Sequence, residues 1–273
     1  MIKEIQKMKI VKTSITKPPK ICIYGQHGIG KSTFASLAPS PIFIPTEDRL
    51  DHLGVEAFEL CKNFQSVIDC MDFLIKNDTG YKTVVLDSLD WLEQLIFTHI
   101  CKEQGAKDMG DLKVFPYQRG YNFAEKVWHD DVLPRLQYLN SHKKMMVILL
   151  AHCAVKRYND PTREAYDIYD LDLHKKAASK IHEFCDVIGF ADYRIITNDG
   201  KAKGSGESVL FLKKKAAFEA KNSYSLPDSI PFGWTNFAEV LYPALNKNVV
   251  VSAGGNLAET KRNKENNTKE TKI

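Results

Sequence analysis

The chain has 273 residues, 44% hydrophobic and 26% charged, enough apolar material for one large domain or two small ones without disulfide staples. Its longest apolar run, Met145 to Ala151, is far short of the roughly 20 residues of a membrane span, and no apolar stretch of the secretory kind follows the basic N-terminus. Formal charge is +4, but residues 1–20 hold six Lys against one Glu and residues 247–273 hold six basic against three acidic residues. The body between them is net acidic, which argues against a strongly basic nucleic-acid-binding body and leaves local patches or the ends for any such contact.

The pattern predicts strands over Lys20–Tyr24, Pro41–Pro45, Thr83–Leu86 and Met145–Leu150, each a short apolar run bounded by turn residues. Helical patterns lie between and beside them at Lys31–Leu37, Phe64–Ile75, Leu89–Cys101 and Tyr117–Leu139. Strands alternating with helices predict an α/β fold with a mostly parallel sheet covered on both faces. Val187–Ile196 and Ser208–Leu212, separated by a Gly- and Lys-rich stretch, read as a C-terminal hairpin extending one sheet edge. After Leu245 the composition turns to Asn, Lys, Thr and Glu, the signature of disorder. The expected organisation is a basic segment over 1–16, one domain over 17–246 and a disordered polar tail over 247–273. Six cysteines without a CxxC pair or zinc spacing read as reduced thiols of a cytoplasmic protein.

Gly25-Gln26-His27-Gly28-Ile29-Gly30-Lys31-Ser32 fits G-x-x-x-x-G-K-[ST] at every position, with a strand before it and a helix, opening with Lys31, Ser32 and Thr33, after it. Glycines let backbone N–H groups curl around phosphate oxygens, and a helix N-terminus favours anions. Lys31 is placed to reach the β- and γ-phosphates of ATP and the Ser32 hydroxyl to ligate Mg²⁺. Asp87, ending the third strand, is the candidate to hold Mg²⁺ through water, or else a helix N-cap; Asp90 is its weaker competitor, inside the helix pattern. Glu47 follows the strand Pro41–Pro45 and should emerge at the same carboxyl edge as the loop, either as the base for the attacking water or as a loop acid. His152, ending the strand Met145–Leu150, is either a sensor of the nucleotide or a residue capping the strand.

The stretch Phe43-Ile44-Pro45-Thr46-Glu47-Asp48-Arg49-Leu50-Asp51 resembles the segment of RecA-type recombinases that carries their catalytic glutamate, and Phe218-Glu219-Ala220-Lys221-Asn222-Ser223-Tyr224 is similar to the Lys-Asn-Arg-Phe-Gly element of the RadA branch. Residues 17–245 together resemble the small phage-encoded RecA/RadA-like ATPases of the Sak-four type. The resemblance implies a RecA-like P-loop core and an ATPase acting on single-stranded DNA in recombination, annealing or replication, in the host cytoplasm. It also implies a homo-oligomer with nucleotide between subunits, a single-strand-binding or replication protein as a further partner, and Lys221 acting on the neighbour's nucleotide. Ser223 and Ser225 stand where that element has Arg and Gly, so only Lys221 remains as a trans-acting cation, without the bidentate fork of Arg.

The segment after His152 interleaves Lys156, Arg157, Tyr158, Arg163, Lys175 and Lys176 with aromatic residues, a composition suited to a single nucleic-acid strand. Asp160, Glu164, Asp167, Asp170 and Asp172 in the same stretch weaken that patch and leave an interface loop as the equal alternative. Two rivals share the phosphate loop: a nucleotide-switched accessory or loader protein that binds a protein partner, and a small-molecule kinase. The kinase would need an Arg-rich lid, and none follows His152.

Overall fold

The computed structural model describes residues 17–162, 164–198 and 201–254. The basic segment 1–16, Arg163 and residues 255–273 lie outside them. Nine strands form the sheet, in the order β2-β3-β4-β1-β6-β7-β9, with β5 paired to β4 and β8 to β6. These are β1 (Lys20–Gly25), β2 (Pro41–Pro45), β3 (Thr83–Asp87), β4 (Met146–Tyr158), β5 (Tyr166–Leu171), β6 (Val187–Asn198), β7 (Lys201–Phe211), β8 (Lys221–Asn222) and β9 (Ser229–Pro231). The central five, β2-β3-β4-β1-β6, run parallel; β7 and β9 add antiparallel strands at one edge. The α/β architecture with its mostly parallel sheet and C-terminal hairpin therefore holds, consistent with a RecA-like core.

Alternating residues of each central strand enter opposite cores, because successive side chains in a strand point to opposite faces. Cys22, Tyr24, Val147 and Leu149 pack beneath α2 (Phe64–Lys76), α3 (Leu89–Gln104), α4 (Gly120–Val127), α5 (Leu133–Ser141) and α6 (Lys175–Phe184). Ile21, Ile23, Ile148 and Leu150 pack on the other face with Phe34 of α1 (Lys31–Ser36) and with Trp234, Phe237 and Leu241 of α7 (Trp234–Gly254). Asn63 starts α2 with a reciprocal cap: its side chain accepts from Ser66 N at 2.9 Å, and its own N–H points to Ser66 Oγ at 3.4 Å.

Three expectations change. The single helix expected over Tyr117–Leu139 becomes α4, a π-helical turn over Trp128–Val132, and α5. Pro134 has no N–H to donate back along the helix, so the ordinary ladder is interrupted there, and the widened turn buries Trp128 and Val132 completely. The strand at Met145–Leu150 runs on to Tyr158, and its far half pairs antiparallel with β5, Cys153 opposite Leu171 through Tyr158 opposite Tyr166. What reads as a loop after His152 is thus a hairpin standing beyond the sheet's carboxyl edge. Finally, α7 extends to Gly254, so the backbone of 247–254 is helical where a disordered tail was expected; Val249–Val251 continue it, and no proline follows to stop it. All six cysteines are free. Among the described residues, no helix is long and apolar enough to cross a membrane.

Candidate nucleotide site

Parallel register assembles the site. Gly25 lies opposite His152 on one side and Ala191 on the other, while Asp87 lies opposite Leu150 and Pro45. The carboxyl ends of four neighbouring strands therefore deliver the phosphate loop, Asp87, His152 and the segment carrying Glu47 to one edge, where open α/β sheets place their ligands. Gly25 is held by close approach: a Cβ there would lie 2.3 Å from the Ala191 carbonyl oxygen. Gly28 and Gly30 take φ of 77° and 99°, the left-handed region that glycine enters without steric penalty.

Within the loop, Lys31 is 7% exposed and its ammonium curls back to donate to the Gly25 and Gln26 carbonyls at 3.1 and 3.0 Å. Burial lowers its pKa, while Asp87, Asp90 and Glu47 pull the other way. The Ser32 hydroxyl donates to Asp87 Oδ2 at 2.6 Å. Ile29 is buried in the core under the loop, whereas the side chains of Gln26, His27 and Thr33 are exposed. Asp87 is 3% exposed; burial raises its carboxyl, against the lowering effects of the Ser32 hydrogen bond and Lys31. A buried carboxylate and a hydroxyl in contact are hard oxygen donors of the kind Mg²⁺ takes alongside water and phosphate, so these residues fit that ion.

Glu47 joins this cluster. Thr46 anchors its segment: the Thr46 hydroxyl donates to the Ser88 carbonyl and accepts from Ser88 N, both at 2.8 Å, and Thr46 N donates to the Asp87 carbonyl at 2.7 Å. The Glu47 carboxylate lies 3.7 Å from Arg49. Burial and the nearby Asp87 raise its pKa, with His152 and Arg49 opposing.

Asp90 carries a role that its spacing did not reveal. It accepts twice from one residue, from His152 N at 3.0 Å and from His152 Nδ1 at 2.8 Å. Burial alone would raise the Asp90 carboxyl, but these hydrogen bonds outweigh it and hold it below the ordinary value. The buried His152 ring, so fixed, stacks on His27 of the phosphate loop, with centroids 3.7 Å apart and planes at 24°. Burial, His152 and Lys31 together lower the His27 pKa. One turn on, buried Glu93 accepts from His174 N at 2.8 Å. Two acids three apart on an otherwise apolar helix face were the only sequence signal for this arrangement.

Other candidates do not converge here. Lys221 sits beside Ile188, three residues short of Ala191 at the edge, and its ammonium donates to the His182 carbonyl at 2.9 Å and that of Glu183 at 3.4 Å. The last carbonyls of a helix lack intrahelical donors, so Lys221 caps α6 and is not a free cation. Three basic residues among those described in the hairpin region are paired: Lys156 with Asp170 at 3.6 Å and the Leu173 carbonyl at 2.7 Å, Arg157 with Asp167 at 3.2 Å, and Lys176 with Glu125 at 2.7 Å; Arg163 lies outside the described residues. Tyr158 packs on Tyr166 and beneath Lys214. Lys175 is exposed on α6.

No curated protein matches the chain. Among solved structures it is similar to the flagellar accessory protein FlaH from Methanocaldococcus jannaschii, at 11% identity and a TM-score of 0.40, over 79% of this chain and 84% of that one. Residues 17–224 match the family described as an AAA domain, and with its phosphate loop at the carboxyl edge of a parallel sheet the chain belongs to that family of P-loop ATPases.

Proposed function

We propose that the protein is a Mg²⁺-dependent ATPase that acts on single-stranded DNA as a homo-oligomer, in recombination, annealing or replication. The observation that carries the hydrolytic part is the convergence of Lys31, Ser32, Asp87 and Glu47 on one strand edge. Lys31 exchanges its two loop carbonyls for the β- and γ-phosphate oxygens, a short move for an ammonium already inside the loop. Ser32 and Asp87 are the residues that would hold Mg²⁺, the hydroxyl by its oxygen and the carboxylate through water. Mg²⁺, when bound, draws negative charge from the phosphates. Glu47, partly desolvated beside Asp87, takes the proton of the attacking water. His152, locked by Asp90 and stacked on His27, links the loop to the hairpin that begins at Cys153, which supports a device coupling nucleotide state to whatever the hairpin meets.

The paired cations of the hairpin region favour a second reading, a nucleotide-switched accessory protein whose hairpin meets a protein. ATP hydrolysis with and without single-stranded DNA, alongside Lys31→Ala and Glu47→Gln, separates the two. Stimulation by DNA that both substitutions abolish supports the first reading. ATP binding with turnover indifferent to DNA rejects it in favour of the second.

A further inference from the structure

Beside the nucleotide site, α3, α4 and the start of α6 enclose an open cavity of about 460 Å³. Its acidic groups are Asp90, Glu93 and Asp172, and no lysine or arginine is among the described residues that line it. Aromatic rings make much of the rest: Trp91 is 49% exposed, and Tyr121 stacks on His174 with centroids 4.1 Å apart and planes at 6°. His174 is held toward its neutral form by burial and by Lys175 and Lys176, so it does not offset the acids. Glu93 is 3% exposed, yet only Oε2 is bonded; Oε1 is buried without a partner. An orphaned buried carboxylate oxygen is costly, and it calls for a donor that the protein itself does not supply. Lys156, whose charge acts on Glu93, is committed to Leu173 and Asp170.

We propose that this cavity is the docking site for an arginine side chain presented by a partner protein, its guanidinium pairing with Glu93 and lying against Trp91 and the Tyr121–His174 stack. A guanidinium is planar, weakly hydrated and rich in donors, so it meets a carboxylate and an aromatic face together, which a compact ammonium does less well. A nucleic-acid phosphate is repelled by the same three carboxylates. Exposed tryptophan beside a desolvated charge is also the composition of a binding hot spot. The assignment does not rest on ATP hydrolysis and its test reads none.

Proton linkage gives a distinctive signature. Burial pushes the Glu93 carboxyl up to about 7, with Asp172 and Asp90 adding to the rise and the His174 N–H and Lys156 opposing it. At pH 7 the group is about half protonated, and a bound guanidinium drives it to the ionised form, releasing about half a proton. Affinity therefore rises with pH through 7 and levels off above it.

The test uses the full chain and an acetylated, amidated Gly-Arg-Gly peptide, with matched citrulline and lysine peptides. Tryptophan emission is one readout, because Trp128 and Trp234 are buried and Trp91 is exposed; calorimetry at pH 7 in two buffers of different ionisation enthalpy is the other. The expected result is saturable binding of the arginine peptide, about tenfold tighter than the citrulline peptide, with proton release. Glu93→Gln should weaken it about tenfold and abolish the proton release. Asp172→Asn, at an exposed position, should weaken binding while keeping the release, and serves if the Glu93 variant does not fold. Equal binding of arginine and citrulline peptides, or no saturation in the millimolar range, overturns the proposal. Self-association of the chain that Glu93→Gln abolishes and the arginine peptide competes away overturns the assignment to a separate partner and gives the cavity to a second copy.

Discussion

Replacing Glu93 by Gln should make the protein more stable at alkaline pH, although it removes a charged residue from a hydrogen bond. In the folded chain the carboxyl sits near pH 7 against an ordinary 4.5, chiefly through burial. Below about pH 4.5 both folded and unfolded chains carry the proton; between about 4.5 and 7 only the folded chain does, so stability falls as pH rises through that window and is flat above it. A gap of about 2.5 pH units, at about 1.4 kcal/mol each, means that ionised Glu93 destabilises the fold by about 3 kcal/mol. Gln imitates the protonated acid at every pH: its carbonyl still accepts from His174 N, and its amide takes the place of the unpartnered oxygen. Urea unfolding of both proteins from pH 4.5 to 8 should give curves that meet at the acid end and part by about 3 kcal/mol at pH 8. The other ionisable groups are common to both proteins and cancel in the difference. A difference that stays constant across this range would refute the reasoning, because it would mean that Glu93 is ionised in the fold throughout.

Four further outcomes are expected. Lys31→Ala should abolish ATP binding in a fluorescent-nucleotide titration while leaving the melting temperature within a few degrees, since the ammonium bonds only to loop carbonyls. Glu47→Gln should keep ATP binding but lower turnover by about 10² or more; in the native protein the acid limb of turnover should lie above the ordinary carboxylate range, because burial raises Glu47 and the base is lost once it is protonated. Asp90→Asn leaves the buried His152 N–H groups poorly matched at a cost of about 1–3 kcal/mol, and the freed ring should shift the His27 titration seen by NMR and weaken ATP binding; an unchanged His27 titration would show that Asp90 does not position the stack. Gly25→Ala should destabilise the fold or prevent expression of folded protein, since the added methyl meets a backbone oxygen at 2.3 Å, and a native-like melting curve would contradict that approach.

Some of this protein was fully determined by contiguous sequence. The phosphate loop is legible because its chemistry depends on backbone conformation over eight successive residues, and Gly28 and Gly30 announce the left-handed turns they adopt. The four expected strands are present because each apolar run is short and bounded, and Asp87 and Glu47 reach the site because a parallel sheet brings its carboxyl ends to one edge. Sequence alone is silent where partners lie far apart in the chain. Asp90 and His152 are 62 residues apart, and nothing local in either distinguishes a bonded pair from a helix acid and a strand-end histidine. Lys221 meets the last carbonyls of α6 because β8 lays it beside them, a contact that nothing in the sequence around it signals. After His152, β4 runs past the sheet edge and folds against β5, setting Arg157 opposite Asp167, a pairing that no local pattern announces. Residue type settled what each group can do; the register of the sheet and the docking of α3, α4 and α6 settled which charges meet and which oxygen of Glu93 is left without a partner, because a hydrogen bond or an ion pair is decided by distances of a few ångströms that span tens of residues of chain.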